Sequence, residues 1–120
     1  MNTQPMKENI EVFKLLNSPF AVSTEEGEIL FNSIKHNLEK DQTIVVDFKG
    51  IDLIVSTFLN AAIGQLYGQF KTDFIQDHVH IKNMSEDDLD TLKKVTDRAK
   101  EYFNDKSGFE RVFKKHFPDA

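Results

Sequence analysis

The side chains best suited to chemistry fall into three small groups. Ser56 and Thr57, with Asn60 one turn further on, stand where an apolar loop gives way to a helix-like apolar segment. Backbone N–H groups at a helix start are unpaired, so a hydroxyl there either caps the helix or carries a phosphate that the dipole stabilises. Capping is the more ordinary role. The functional version makes Thr57 a switch residue, with Ser56 and Asn60 lining a contact surface. Asp47 and Asp52 flank the preceding loop, and two carboxylates at the end of a strand suit Mg²⁺ binding or acid–base work. No phosphate-cradling glycine loop accompanies them, and aspartates in turns commonly bond backbone N–H groups, so they read as turn formers. His78 and His80 share a face if their segment is extended, but Zn²⁺ needs further ligands. Asp77 points to the opposite face under strict alternation, and His36 and His116 are remote. A solvated strand face is expected there, with no metal. Cysteine is absent, which excludes disulfides and thiolate zinc sites. No serine, threonine or lysine has a base at triad-like spacing, so nothing in the chain argues for an enzyme or for a cofactor.

These groups need elements to hold them. Residues 10–16 carry the β-branched and aromatic content of a strand, and Asn17-Ser18-Pro19 is a turn before a brief strand at 20–22. Ser23-Thr24-Glu25-Glu26 reads as a capping box opening a helix with Leu30, Ile34 and Leu38 on one stripe, widened by Ile29 and Phe31. Gly27 lies inside that helix at a cost of about 1 kcal/mol against alanine, which implies a close approach to the sheet or to a ligand. Residues 43–48 form an unbroken apolar run, as in a parallel strand covered on both faces. Residues 51–55 are an apolar loop. The next helix is expected from Ser56-Thr57 to about Phe70, with Gly64 and Gly68 on one face for tight packing. Residues 78–82 alternate like a strand with one wet face. Ser85 and Asp88 then begin a helix with a Met84–Leu89 staple and a Leu89, Leu92, Val95, Ala99, Phe103 stripe. Asn104-Asp105-Lys106 is expected to break it. Ser107 and Glu110 cap a last helix with Phe109, Val112, Phe113 and Phe117 inward.

With 120 residues, 39% of them apolar and 29% charged, the chain fits one globular domain, here residues 9–120 after a disordered lead at 1–8. Strands alternating with helices give an α/β fold: a small mixed, partly parallel sheet of about four strands with helices packed on it. The net charge is −5, opposite to the basic excess of nucleic-acid binders. Lys93-Lys94 and Lys114-Lys115 fall late in expected helices, where the dipole favours cations. No stretch is apolar enough to span a membrane, and residues 1–7 lack the core of a signal peptide. A cytoplasmic location is the expectation.

The order strand, Asp47-Phe48-Lys49-Gly50-Ile51, apolar loop, Ser56-Thr57-Phe58-Leu59-Asn60, preceded by Ser23-Thr24-Glu25-Glu26-Gly27, resembles the STAS domain. It looks closest to a bacterial STAS-like family of unknown function, distantly similar to anti-sigma factor antagonists, over roughly residues 9–100. The resemblance implies a regulatory module that binds a protein, the partner class being a histidine-kinase-like ATPase. Its contact residues would be Ser23, Thr24, Gly27, Ser56, Thr57 and Asn60. In antagonists an acidic residue and two serines precede a glycine, and the second serine is phosphorylated by the partner. Ser56 and Thr57 match the two serines as candidate phosphorylation sites, whereas Val55 and Phe58 replace the acid and the glycine. The alternative is a small-molecule or nucleotide sensor with its pocket between the second helix and the sheet. The sequence leaves a homodimer open.

Overall fold

The computed structural model describes residues 7–116, with side chains described as far as residue 104. Strand β1 (Lys7–Glu11) pairs in parallel with β3 (Thr43–Asp47), which pairs in parallel with β5 (Val79–Lys82) on its other side. A second, two-stranded parallel sheet joins β2 (Phe20–Ala21) to β4 (Leu53–Ile54). The α/β class with parallel pairing therefore holds, but the strands divide into two sheets, all of whose pairs are parallel, and the supposed apolar loop contains β4.

Helix α1 (Val12–Leu16) occupies what reads in the sequence as the second half of a strand. The apolar residues Val12 and Leu16 are spaced for one helical face as well as for one strand face, so the pattern cannot decide between them. Asn17, left-handed at φ 53°, closes the turn, a conformation asparagine tolerates. The expected lead at residues 1–8 also gives way, since Lys7 and Glu8 already pair with Thr43 and Ile44; residues 1–6 lie outside the described residues.

Helix α2 (Thr24–Leu38) begins as its sequence dictates. Ser23 accepts from the Glu26 N–H at 3.1 Å while the Glu26 carboxylate accepts from the Ser23 N–H at 3.2 Å. Leu30, Ile34 and Leu38 are buried, Phe31 is half-buried, and Ile29 is exposed, so the stripe is narrower than expected. Along β3, Ile44 and Val46 enter the core and Val45 is half-buried; Phe48, just past the strand, is buried too.

Helix α3 (Ser56–Ala62) is shorter than its apolar pattern suggests. From Gly64 the backbone tightens into a 3-10 helix (Gly64–Gly68), with Leu66 N–H on the Ile63 carbonyl at 3.0 Å. Glycine holds an α-helix poorly, and two of them four apart favour the tighter winding. Helix α4 (Thr72–His78) follows, carrying a ladder in which Phe74 stacks on Phe70 at 5.7 Å and on His78 at 4.0 Å. His78 thus belongs to a helix and not to the strand, and it shares no strand face with His80. Its ring sits between the Phe74 carbonyl and the Asp41 carboxylate.

Helix α5 (Glu86–His116) runs without the break expected at 104–106, a segment with neither glycine nor proline to stop it. Its Ser85 cap matches expectation, with the Asp88 N–H on the Ser85 hydroxyl at 3.2 Å, but Leu89 is exposed, so the inward stripe begins at Leu92. The inward placement of Phe109, Val112, Phe113 and Phe117 lies outside the described side chains. Leu92, Val95 and Ala99 bury the near half of α5 against α3 and the 3-10 helix. No helix among the described residues is long and apolar enough to cross a membrane.

Candidate functional site

An open cleft of about 780 Å³ lies where α2, α3 and α5 meet. Helix α2 contributes Thr24, Glu28 and Asn32 with the half-buried Phe31; α3 contributes Ser56, Thr57 and Asn60. Gln65, Gln69 and, from α5, Val95 and Arg98 close it. Four of the six expected contact residues, Thr24, Ser56, Thr57 and Asn60, are therefore brought to one surface although they lie on two helices.

Local folding explains that convergence. Strand β2 delivers the chain to Ser23 and β4 delivers it to Val55. The Val55 N–H donates to the Ala21 carbonyl at 3.1 Å, so the two helices leave side by side. They then cross at Gly27. A Cβ built there would stand 2.6 Å from the Ala61 Cβ and 2.7 Å from the Phe58 carbonyl oxygen, a distance only a hydrogen side chain permits.

Gly27 is thus a packing residue, buried beneath α3 and not presented to a partner; the close approach implied by the sequence is to a helix, not to the sheet or a ligand. Ser23 is committed to the cap, since its hydroxyl accepts from the Glu26 N–H and also donates to the Glu26 carboxylate at 3.0 Å. These bonds hold the Glu26 carboxyl below its ordinary range, the Val22 N–H contributing most. Ser56 and Thr57 do not cap α3, because Val55 occupies the N-cap position with no side-chain cap bond. The hydroxyls of Ser56 and Thr57 are exposed and make no hydrogen bond among the described residues. Phe58, which stands where the antagonists' pattern has glycine, is fully buried core.

The aspartate pair separates. Asp47 is buried, and its Oδ1 accepts from Asn83 Nδ2 at 2.8 Å and from the Lys49 N–H at 3.0 Å. The Asn83 bond, then the Lys49 N–H, keep this carboxyl below the usual aspartate range against the opposing effect of burial. Asp52 is exposed and engages through its backbone N–H, on the Pro19 carbonyl at 2.7 Å. Among the described residues no three His, Asp or Glu side chains gather as metal ligands would. A second hollow at the carboxyl ends of β3 and β5 mixes Lys49 and Lys82 with Asp52 and Asp88.

Sequence reasoning set the docking surface on the Ser56–Gln65 helix start without singling out the Gln65 amide, and it missed Gln69 and Arg98. The amides were hidden because residues 56–70 read as one straight helix; Arg98 was visible only as the polar neighbour of Val95 and Ala99. Arg98 is exposed and forms no ion pair among the described residues.

A family model described as a STAS-like domain of unknown function (DUF4325) matches residues 26–89, more than half of the chain, and the protein belongs to that family. The matched segment runs from the first turn of α2 through β3, α3 and β5 into α5, and so contains the whole α2–α3 crossing. No curated protein and no solved structure matches the chain.

Proposed function

We propose that this chain is a non-enzymatic regulatory module that docks a partner protein at the α2–α3–α5 cleft. The observation that carries this reading is the convergence of Thr24, Ser56, Thr57 and Asn60 on one open surface, with the Ser56 and Thr57 hydroxyls unspent on the fold. Amide and hydroxyl side chains both donate and accept, which suits recognition of protein main chain and polar side chains. The STAS-like fold supports a regulatory role of the anti-sigma-antagonist kind, with a cytoplasmic, bacterial ATPase of the histidine-kinase type as partner. Thr57, and Ser56 beside it, are the residues such a kinase would phosphorylate, since both are exposed and open on the cleft. The decisive experiment measures binding of the purified domain to the histidine-kinase-like ATPases of its source cell. Thr57→Glu and Asn60→Asp are each expected to weaken the complex at least about tenfold, or roughly 1.4 kcal/mol, with unchanged circular dichroism. Unaltered affinity in both variants would reject the surface.

A second reading, a small-molecule or nucleotide sensor, is favoured by the size of the cleft, which falls in the range of ligand pockets. Its site is the outer cleft, because the space between α3 and the sheet is filled by Phe58, Leu59 and Leu66. Thermal-shift screening with nucleotides and small metabolites checks it, and a flat response across the library argues against it.

A further inference from the structure

Hydroxyls and amides dominate the lining of the cleft where α2, α3 and α5 meet, and its only charged side chains are Glu28 and Arg98. They stand on different walls. Helix α2, which carries Glu28, packs on α3 at Gly27 against Ala61. Helix α5, which carries Arg98, packs at Val95, whose Cγ1 lies 3.5 Å from where a Cβ on Gly64 would stand. Both charged side chains are exposed, and neither forms an ion pair among the described residues, with the other or with anything else. The neighbouring charges of α5 are engaged. Lys93 holds Asp97 at 2.8 Å, and the Lys100 ammonium lies over the Tyr67 ring, 5.7 Å from its centre. Arg98 alone brings an unspent cation to the cleft. Asn60 and Gln65 line the cleft with it and also line, again with Arg98, a smaller hollow that continues to Tyr102 and Phe103.

We propose that the cleft reads a peptide segment of mixed charge, with an acidic side chain seated on Arg98, a basic one on Glu28, and the main chain lying over the amides between them. This inference rests on the docking reading and specifies the chemistry of the partner. A guanidinium is a planar fork that fits a carboxylate through two parallel hydrogen bonds. Asn60, Gln65 and Gln69 each offer a donor and an acceptor, as the N–H and C=O groups of a bound main chain require. Glu28 selects against a wholly anionic occupant such as a polyphosphate, which would meet a second carboxylate in a chain already at net charge −5. Arg98 in turn selects against a wholly basic segment. Exposed charges fix register and orientation more than they tighten binding, so their role is to turn the segment's acid toward α5 and its base toward α2.

Selection of random linear peptides, displayed on phage, against the intact domain tests this reading. The peptides that bind should carry an acid and a base together. For such a peptide, Arg98→Glu and Glu28→Lys should each raise the Kd at least about tenfold, because each sets like charges against one another. Both positions are exposed, so circular dichroism should not change. Replacing the peptide's acid with lysine should restore binding to Arg98→Glu, and replacing its base with glutamate should restore binding to Glu28→Lys. Peptides that lose affinity with Asn60→Asp but ignore both charge reversals, or that carry charge of one sign only, overturn the proposal and leave the docking reading standing. A library that yields no binder sensitive to Asn60→Asp overturns both.

Discussion

Replacing Gly27 with alanine tests the joint on which the cleft depends. In an uncrowded helix interior the change would stabilise the protein by about 1 kcal/mol through helix propensity. Here the new methyl would meet the Ala61 Cβ at 2.6 Å, the Phe58 carbonyl oxygen at 2.7 Å and the Ala62 nitrogen at 3.3 Å. Carbon atoms prefer separations of about 3.5–4.0 Å, so α3 must withdraw by roughly 1 Å. Two of those three neighbours are backbone atoms and cannot rotate away, which puts the overpacking cost near the upper end of about 1–3 kcal/mol. Subtracting the propensity gain of about 1 kcal/mol leaves a net loss of about 2 kcal/mol, or roughly 8–10 °C in Tm for a chain of this size. Urea unfolding should show a lower midpoint at unchanged slope. Ala61→Gly removes the closest atom, so the double variant should lose less stability than the two single losses together. A Gly27→Ala protein as stable as the parent, or more so, would refute the reasoning, because it would mean that the helices do not touch at this point.

The remaining expectations are smaller or chemically distinct. Gly68→Ala would drive a methyl into the Phe103 ring, the far end of a movable and half-buried side chain, and should cost less than Gly27→Ala in the same urea assay. Ser23→Ala removes half of the capping box and should cost about 1 kcal/mol by thermal unfolding. Asp47→Ala leaves the Asn83 amide and the Lys49 N–H without their acceptor, a loss of about 1–3 kcal/mol. Glu26 and Asp47 are both held below their ordinary values of 4.5 and 3.8 in the fold. Their contribution to stability is therefore complete above those values and disappears as pH falls through the lowered ones. Asp47→Asn and Glu26→Gln should each flatten the acid limb of a stability–pH curve and leave its neutral region level.

What the sequence made legible follows from how local each cause was. The α2 cap could be read directly because Ser23 and Glu26 need only each other. The stripe of Leu30, Ile34 and Leu38 was equally plain, since four-residue spacing has one meaning in a long helix. Short segments defeated the same logic. Val12 and Leu16 fit a strand or a single helical turn, and only the neighbouring β1–β3 register decides. The Phe70, Phe74, His78 ladder that marks α4 was present at helical spacing, but the alternation of residues 78–82 drew His78 into the strand. At the site, Ser56 and Thr57 were found because hydroxyls cluster there, yet their role as caps was misread by one residue. Arg98 could not be found at all, because its place on the cleft depends on α5 crossing α3, a contact between segments some forty residues apart.

The β2–β4 pair carries more of the functional argument than its two-residue strands suggest. Its inner side and its exits fix where α2 and α3 begin, through the Val55 N–H on the Ala21 carbonyl, and so set the spacing between Thr24 and Thr57 across the cleft. Phe20 and Leu53, paired in register on that small sheet, are both exposed. Side chains on the outer face can change without moving the backbone that spaces the hydroxyls. Substitutions at the two places therefore report on different things: Leu53→Asp tests the exposed side of the small sheet and Asn60→Asp the proposed docking cleft, and neither residue belongs to the buried core.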